Sequence, residues 1–261
     1  MGVLNVTPDS FYDGGRYTGK EKIVSKVEKM IMEGVDFIDV GAYSSRPGAS
    51  IISYEEELRR LSETMELLRS GFPESIISID TFRSGIARKM VEEYGANMIN
   101  DISAGDMDRE MFVTIADLQI PYIMMHMQET PKTMQKNPKY DNVVKDILAV
   151  FSGKIEELKL IGVDNVILDP GFGFGKTLDH NYELMNGLGQ FSVLNKPIMV
   201  GVSRKSMICK LLGCTPDEAL NGTVVLNTVA LMKGVDILRV HDVKEAVEAI
   251  RIVTKLEQLN K

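Results

Sequence analysis

The chain has 261 residues, 44% hydrophobic and 26% charged, with a net charge of -7 at pH 7. That is the profile of an ordinary globular chain, large enough for one sizeable core or two small ones. The acidic balance, with no basic run, argues against nucleic acid. Local Arg and Lys still leave an anionic small substrate open. Cys209 and Cys214 stand in CKLLGC with no third or fourth ligand nearby, which suits free thiols in a reducing compartment better than zinc. No apolar run approaches the roughly 18 residues that span a membrane. The opening MGVLNVTPDS lacks a basic-then-apolar leader pattern, so the expected location is the cytoplasm.

In chain order, VLNV (3–6) reads as a strand, followed by the polar loop TPDSFYDGGRYTGK. Ile23, Val27, Met30 and Ile31 recur at helical spacing up to Gly34. FIDVGA (37–42) is a buried strand. Ser53 and Glu56 fit a capping box, with Leu58, Leu61, Met65 and Leu68 as one stripe behind it. IISID (76–80) is strand, and Ile86, Met90 and Tyr94 mark a helix ending at Gly95. MINDI (98–102) is strand, 107–118 helix, PYIMMH (121–126) strand and 141–161 helix. NVILD (165–169) is strand, 179–189 helix, and PIMVGV (197–202) strand. Residues 206–233 are helical with a break near Gly213 to Pro216, and ILRVH (237–241) is strand. Asp242 and Glu245 suggest a capping box for the last helix, which carries Ile250 and Leu256.

Eight strand-helix units, with strands apolar on both faces and no linker between them, predict a closed (β/α)8 barrel in a single domain, 1–261. An open doubly wound sheet is the alternative. In the barrel, chemistry gathers at the carboxyl ends of the strands. Those ends supply Asn5, then Tyr43 to Arg46, Asp80, Asn100 with Asp101, Asp169, Ser203 to Ser206, and Arg239 with His241. Asp101 and Asp242 read as helix caps. Asp169 precedes Pro170, which has no N–H to be capped, so its carboxylate is expected in the mouth. Asp80, Asn100 and Asp169 suit a donor-rich neutral ring such as an aminopyrimidinone edge. Arg46, Arg204, Lys205, Arg239 and His241 suit a phosphate. The loop LDPGFGFGKT (168–177) lacks Walker spacing; its glycines permit close backbone approach. Phe172 and Phe174 either plug the rim or wall a flat substrate.

Taken together, NVTPDSFYDGG (5–15), SSRPG (44–48), SIDT (78–81), IND (99–101), LDPGFGFGK (168–176), GVSRKS (201–206) and RVHDV (239–243) resemble, in order, the signatures of the dihydropteroate synthases. The resemblance runs along essentially the whole chain. It implies a (β/α)8 barrel, usually a homodimer. It also implies a transferase that joins 4-aminobenzoate to 6-hydroxymethyl-7,8-dihydropterin diphosphate with Mg²⁺, by an SN1-like route. Matched position by position, Asp80, Asn100, Asp169 and Lys205 fall in the pterin pocket. Asn5, Arg239 and His241 fall on the pyrophosphate and Mg²⁺ side, with Asn5 toward the metal. Phe174, Lys205 and Ser206 fall in the aminobenzoate pocket, and Asp13, Ser45, Arg46 and Pro47 in two mobile loops. Two departures stand out. Tyr43 takes the place of a customary Glu in GAYSSRPG, and the chain begins almost at its first strand, where the family usually has a further stretch. Two rivals remain at this point. One is a pterin-dependent methyltransferase of the methyltetrahydrofolate–corrinoid type, which would not need the SRK, RVH or SSRPG residues. The other is a non-catalytic pterin-binding protein, against which the filled polar positions argue.

Overall fold

The computed structural model describes residues 1–6, 19–43, 52–129, 134 and 138–259. Strand and helix alternate throughout. β1 (Gly2–Asn5) precedes α1 (Gly19–Met32), β2 (Phe37–Gly41) precedes α2 (Tyr54–Gly71), and β3 (Ile76–Asp80) precedes α3 (Ser84–Glu92). The pattern continues with β4 (Met98–Asp101), α4 (Met111–Leu118), β5 (Tyr122–Met125), α5 (Val143–Leu160), β6 (Val166–Asp169) and α6 (Leu178–Gly187). A 3-10 helix, Leu188–Leu194, follows α6 before β7 (Met199–Val200), α7 (Ser206–Leu212), α8 (Leu220–Met232), β8 (Ile237–Leu238) and α9 (Val243–Gln258).

β1 to β6 pair in parallel and in sequence order, as do β7 and β8. Two bridges join these pieces into a ring. Leu168 pairs with Ile198 and Gly2 with Val240, supported by Leu168 N–H to the Pro197 carbonyl and Val3 N–H to the Val240 carbonyl, both 2.9 Å. The (β/α)8 barrel is therefore formed, and the open sheet is not.

Period-two alternation sorts each strand. Ile38 and Val40, or Ile77 and Ile79, join the large cluster under the helices. The inward positions form layers. Met98, Ile123, Ile167 and Met199 make an apolar floor layer. Asp39, Ser78 and Asn100 make a buried polar layer above it.

Several local expectations change. The helix expected from 107 begins at Met111, because Asp101 organises a turn first: its carboxylate accepts from the N–H of Ser103 and Gly105 and from the Ser103 hydroxyl. Ser53 does cap α2, accepting from Glu56 N–H at 3.2 Å, but the Glu56 carboxylate pairs with Arg59 and Arg60 instead of closing a box. Asp242 makes no side-chain cap either, since its carboxylate is held by Arg204 at 2.9 Å. The buried stripe of α9 is Val243, Ala246, Ala249 and Val253, whereas Leu256 is exposed. Gly213, in the left-handed region with φ of 65°, ends α7 at the expected break. No helix among the described residues is long and apolar enough to cross a membrane.

Candidate active site

Strand register builds the site. Asn5 lies opposite Gly41, Gly41 opposite Asp80, and Asp80 opposite Asn100, so four strand ends form one row. Gly41 leaves the gap that lets its neighbours converge. A Cβ there would stand 3.5 Å from Asp80 Oδ2 and 3.6 Å from Asn5 Oδ1.

Arg239 enters this row from across the barrel. Its Nη2 donates to Asp80 at 2.9 Å and its Nε to Asp39 at 2.6 Å. Asp39 also accepts from Ser78 Oγ at 2.7 Å and from Asn100 Nδ2 at 3.1 Å. Asp39 thus fixes two of the expected site residues at once. Because the Asn100 amide donates inward, its oxygen is the group left for the mouth. Sequence reasoning missed Asp39, and the signal available was a carboxylate at an inward position of an otherwise apolar strand. Burial holds Asp80 well above the usual carboxylate range, with Arg239 opposing and Asp39 adding to the rise. Against its own burial cost, Arg239 is kept charged by Asp39 and then Asp80.

Asp169 is buried. The structure corrects one detail of the expectation: Oδ1 does not face the mouth free, but accepts from Gly171 N–H at 2.8 Å. Pro170 only moves the local bond one residue onward. Oδ2 takes no hydrogen bond among the described residues. Burial raises the Asp169 pKa, opposed first by Lys205. Lys205 places its ammonium 4.8 Å over the Phe174 ring and bonds the Phe172 carbonyl. Burial lowers the Lys205 pKa to about 8.

The glycine-rich loop resolves both ways at once. Phe172 is fully buried in the core, while Phe174 is half-buried at the rim. The close approach is to protein backbone, not to phosphate. At Gly171, with φ of 73°, a Cβ would fall 1.9 Å from the His126 carbonyl oxygen. Lys176 is turned inward and fastens the loop, donating to the carbonyls of Gly171 at 2.9 Å and Phe174 at 3.0 Å, and reaching His126 Nδ1 at 3.2 Å. Burial lowers Lys176 to about 7 and His126 to about 3, so the imidazole accepts from the lysine as a neutral ring.

Other expected residues fall into three groups. Ser206 is exposed at the start of α7, with Lys205 as its N-cap residue. His241 is exposed as a residue, but its ring is partly buried where Nδ1 lies 3.2 Å from Ser203 Oγ. Desolvation, then the Arg239 and Lys26 cations, keep that imidazole below its ordinary range and neutral at pH 7. Arg204, expected as an anion-binding cation, is spent on Asp242 and the carbonyls of Pro216 and Asp217, so it does not join the site. Asp13, Ser45, Arg46 and Pro47 lie outside the described residues.

A barrel whose mouth sets three acceptor side chains beside two cations is the architecture of a pterin-binding enzyme, and a family model of that description, "Pterin binding enzyme", matches residues 1–241. The dihydropteroate synthase of Escherichia coli K12 is 44% identical over 255 residues, covering 97% of this chain and 89% of that one. The Yersinia pestis dihydropteroate synthase solved with a sulfonamide drug superposes with a TM-score of 0.92 at 39% identity, covering 98% of this chain and 93% of that one. The Xanthomonas albilineans dihydropteroate synthase in complex with 7,8-dihydropteroate gives 0.87 at 34% identity, covering 98% and 92%. The chain belongs to the dihydropteroate synthases, transferases of folate biosynthesis.

Proposed function

We propose that the chain, working as one domain over 1–261, condenses 6-hydroxymethyl-7,8-dihydropterin diphosphate with 4-aminobenzoate to give 7,8-dihydropteroate and pyrophosphate. The observation that carries this reading is the network in which Asp39 locks Arg239 against Asp80 and turns Asn100 outward. Oxygen acceptors beside a guanidinium support reading the mouth as a site for a donor-rich ring next to a diphosphate. In this reading Asp80, Asn100 and Asp169 Oδ2 accept from the pterin's N–H groups. Arg239 and His241 hold the diphosphate. Phe174 and the Lys205 stem wall the aminobenzoate ring, with Ser206 near its carboxylate. Asp13, Ser45, Arg46 and Pro47 belong to the loops that would close over both.

The bond that breaks joins the pterin methylene to the diphosphate oxygen, and its electron pair leaves with the diphosphate. The aminobenzoate nitrogen then supplies the pair for the new C–N bond and loses a proton. An SN1-like order suits a site that stabilises departing negative charge and needs no covalent nucleophile. Mg²⁺ fits the donor chemistry here, since Asn5 Oδ1 is a hard oxygen beside Gly41 at the mouth. Asn5 would hold it, and its chemistry would be to neutralise charge on the diphosphate. The chain's own part is to orient that group through Arg239 and His241. A homodimer is part of this reading, supported by exposed Leu211, Leu212, Val225 and Met232 on α7 and α8. The test is pyrophosphate release. Formation of 7,8-dihydropteroate alongside it should require pterin diphosphate, aminobenzoate and Mg²⁺ together; pyrophosphate release with both substrates present but no dihydropteroate formed would overturn the condensation.

A further inference from the structure

Tyr43 lies two residues beyond β2 and is only 7% exposed, and its hydroxyl is buried with no hydrogen-bond partner among the described residues. A buried hydroxyl without a partner is costly, so it calls for an explanation. The charged groups whose fields reach it are Arg83, Glu57 and Asp80. None of the three bonds the hydroxyl. Glu57 is bonded to Thr81 and Arg83, Arg83 also to the Ile52 carbonyl, and Asp80 to Arg239. The Tyr43 ring itself is fixed, packing edge-on against Phe82 with centroids 5.7 Å apart.

The company of this ring locates it. Tyr43 clusters with Phe82, Ile102 and Met125, and Phe174 packs at the edge of the group. Met125 lies opposite Asp169 in register, and Phe174 carries Lys205 over its face. The cluster is therefore one wall of the pocket whose rim holds the acceptors.

We propose that the Tyr43 hydroxyl is a substrate contact, donating a hydrogen bond to an acceptor atom of the pterin heterocycle. This would make Tyr43 a specificity-determining residue that favours a heterocycle over a plain aromatic ring. The inference rests on the pterin reading of the site. Asp80, Asn100 and Asp169 offer oxygens that read the ring's donors, and the Lys205 ammonium is held by the Phe172 carbonyl; Tyr43 adds a further donor for the ring's acceptors.

Tyr43→Phe removes the oxygen and keeps the ring against Phe82. Calorimetric titration with 6-hydroxymethylpterin, which has no phosphates, should show affinity falling roughly fivefold or more relative to the unmodified protein. The thermal midpoint of the ligand-free variant should be unchanged or higher, because no internal bond is lost. Equal pterin affinity in the two proteins would overturn the Tyr43 assignment alone. Failure of the unmodified protein to bind the pterin would overturn the pterin reading and this inference with it. A clearly lowered midpoint would show that the hydroxyl is bonded within the protein and is not a ligand group.

Discussion

Asp169 has its two oxygens doing different jobs. Oδ1 holds the Gly171 N–H, and Oδ2 is left for a ligand. An amide has only one acceptor, so Asp169→Asn must give up either the turn or the ligand bond. Pterin affinity should fall by about 1.5–3 kcal/mol, the cost of a bond to a charged group. Calorimetry on the folded variant checks this, and undiminished affinity would place the pterin elsewhere. Asp80, Asn100, Asp169 and Arg239 were legible in the sequence because each polar side chain ends or follows an apolar run. Asp39 was not, because it sits inside such a run. Its ion-pair partner lies 200 residues away, and nothing local announces the pairing. Arg204 misled for the converse reason: its position was right, but Asp242 had already claimed its charge.

At the level of elements, the loop after β6 is set by its glycines and by Lys176. Gly171→Ala drives a methyl into the His126 carbonyl and should prevent the loop from forming. Gly173→Ala is milder. Its φ of 82° imposes strain, but the nearest atom is the Lys205 Cδ at 3.4 Å, part of a flexible stem. We expect about 1–2 kcal/mol of destabilisation for Gly173→Ala and several-fold more for Gly171→Ala, read from urea unfolding midpoints. Comparable losses at both positions would mean that the His126 contact is not what shapes the loop. The eight strands were legible from apolar runs between turn residues. Their lengths were not: PIMVGV reads as six strand residues, yet only Met199 and Val200 form regular ladder. Likewise LGQFSVL, with its apolar Leu188 and Phe191 buried three residues apart, follows the 3-10 period that a helix template does not detect.

For the whole molecule, Lys176 links stability to pH. Burial lowers its pKa from 10.5 to about 7. The folded state therefore gives up a proton that the unfolded chain keeps between those values. This contribution to stability is present above pH 10.5 and is lost as pH falls through 7. Across that window its slope approaches about 1.4 kcal/mol per pH unit. Lys176→Met should lower stability overall, because it unpairs two carbonyls, and should flatten the rise from pH 7 to 9 in denaturant midpoints. A variant with an undiminished slope would assign the linkage to another group.

Barrel closure sets an order of events during synthesis. The last seam joins Val3 to Val240, and the Met1 amino group bonds the Leu238 carbonyl, 237 residues along the chain. Until the eighth strand is made, β1 has no partner on that side and exposes a bare edge. Contacts of this span are late and slow to form, because loop-closure entropy is lost before they add stability. A ribosome-bound chain short of residue 239 therefore holds Asp39 and the row from Asn5 to Asn100 without Arg239, the cation that pairs with Asp39 and Asp80. The nascent protein completes its charge balance and its shape in the same final step.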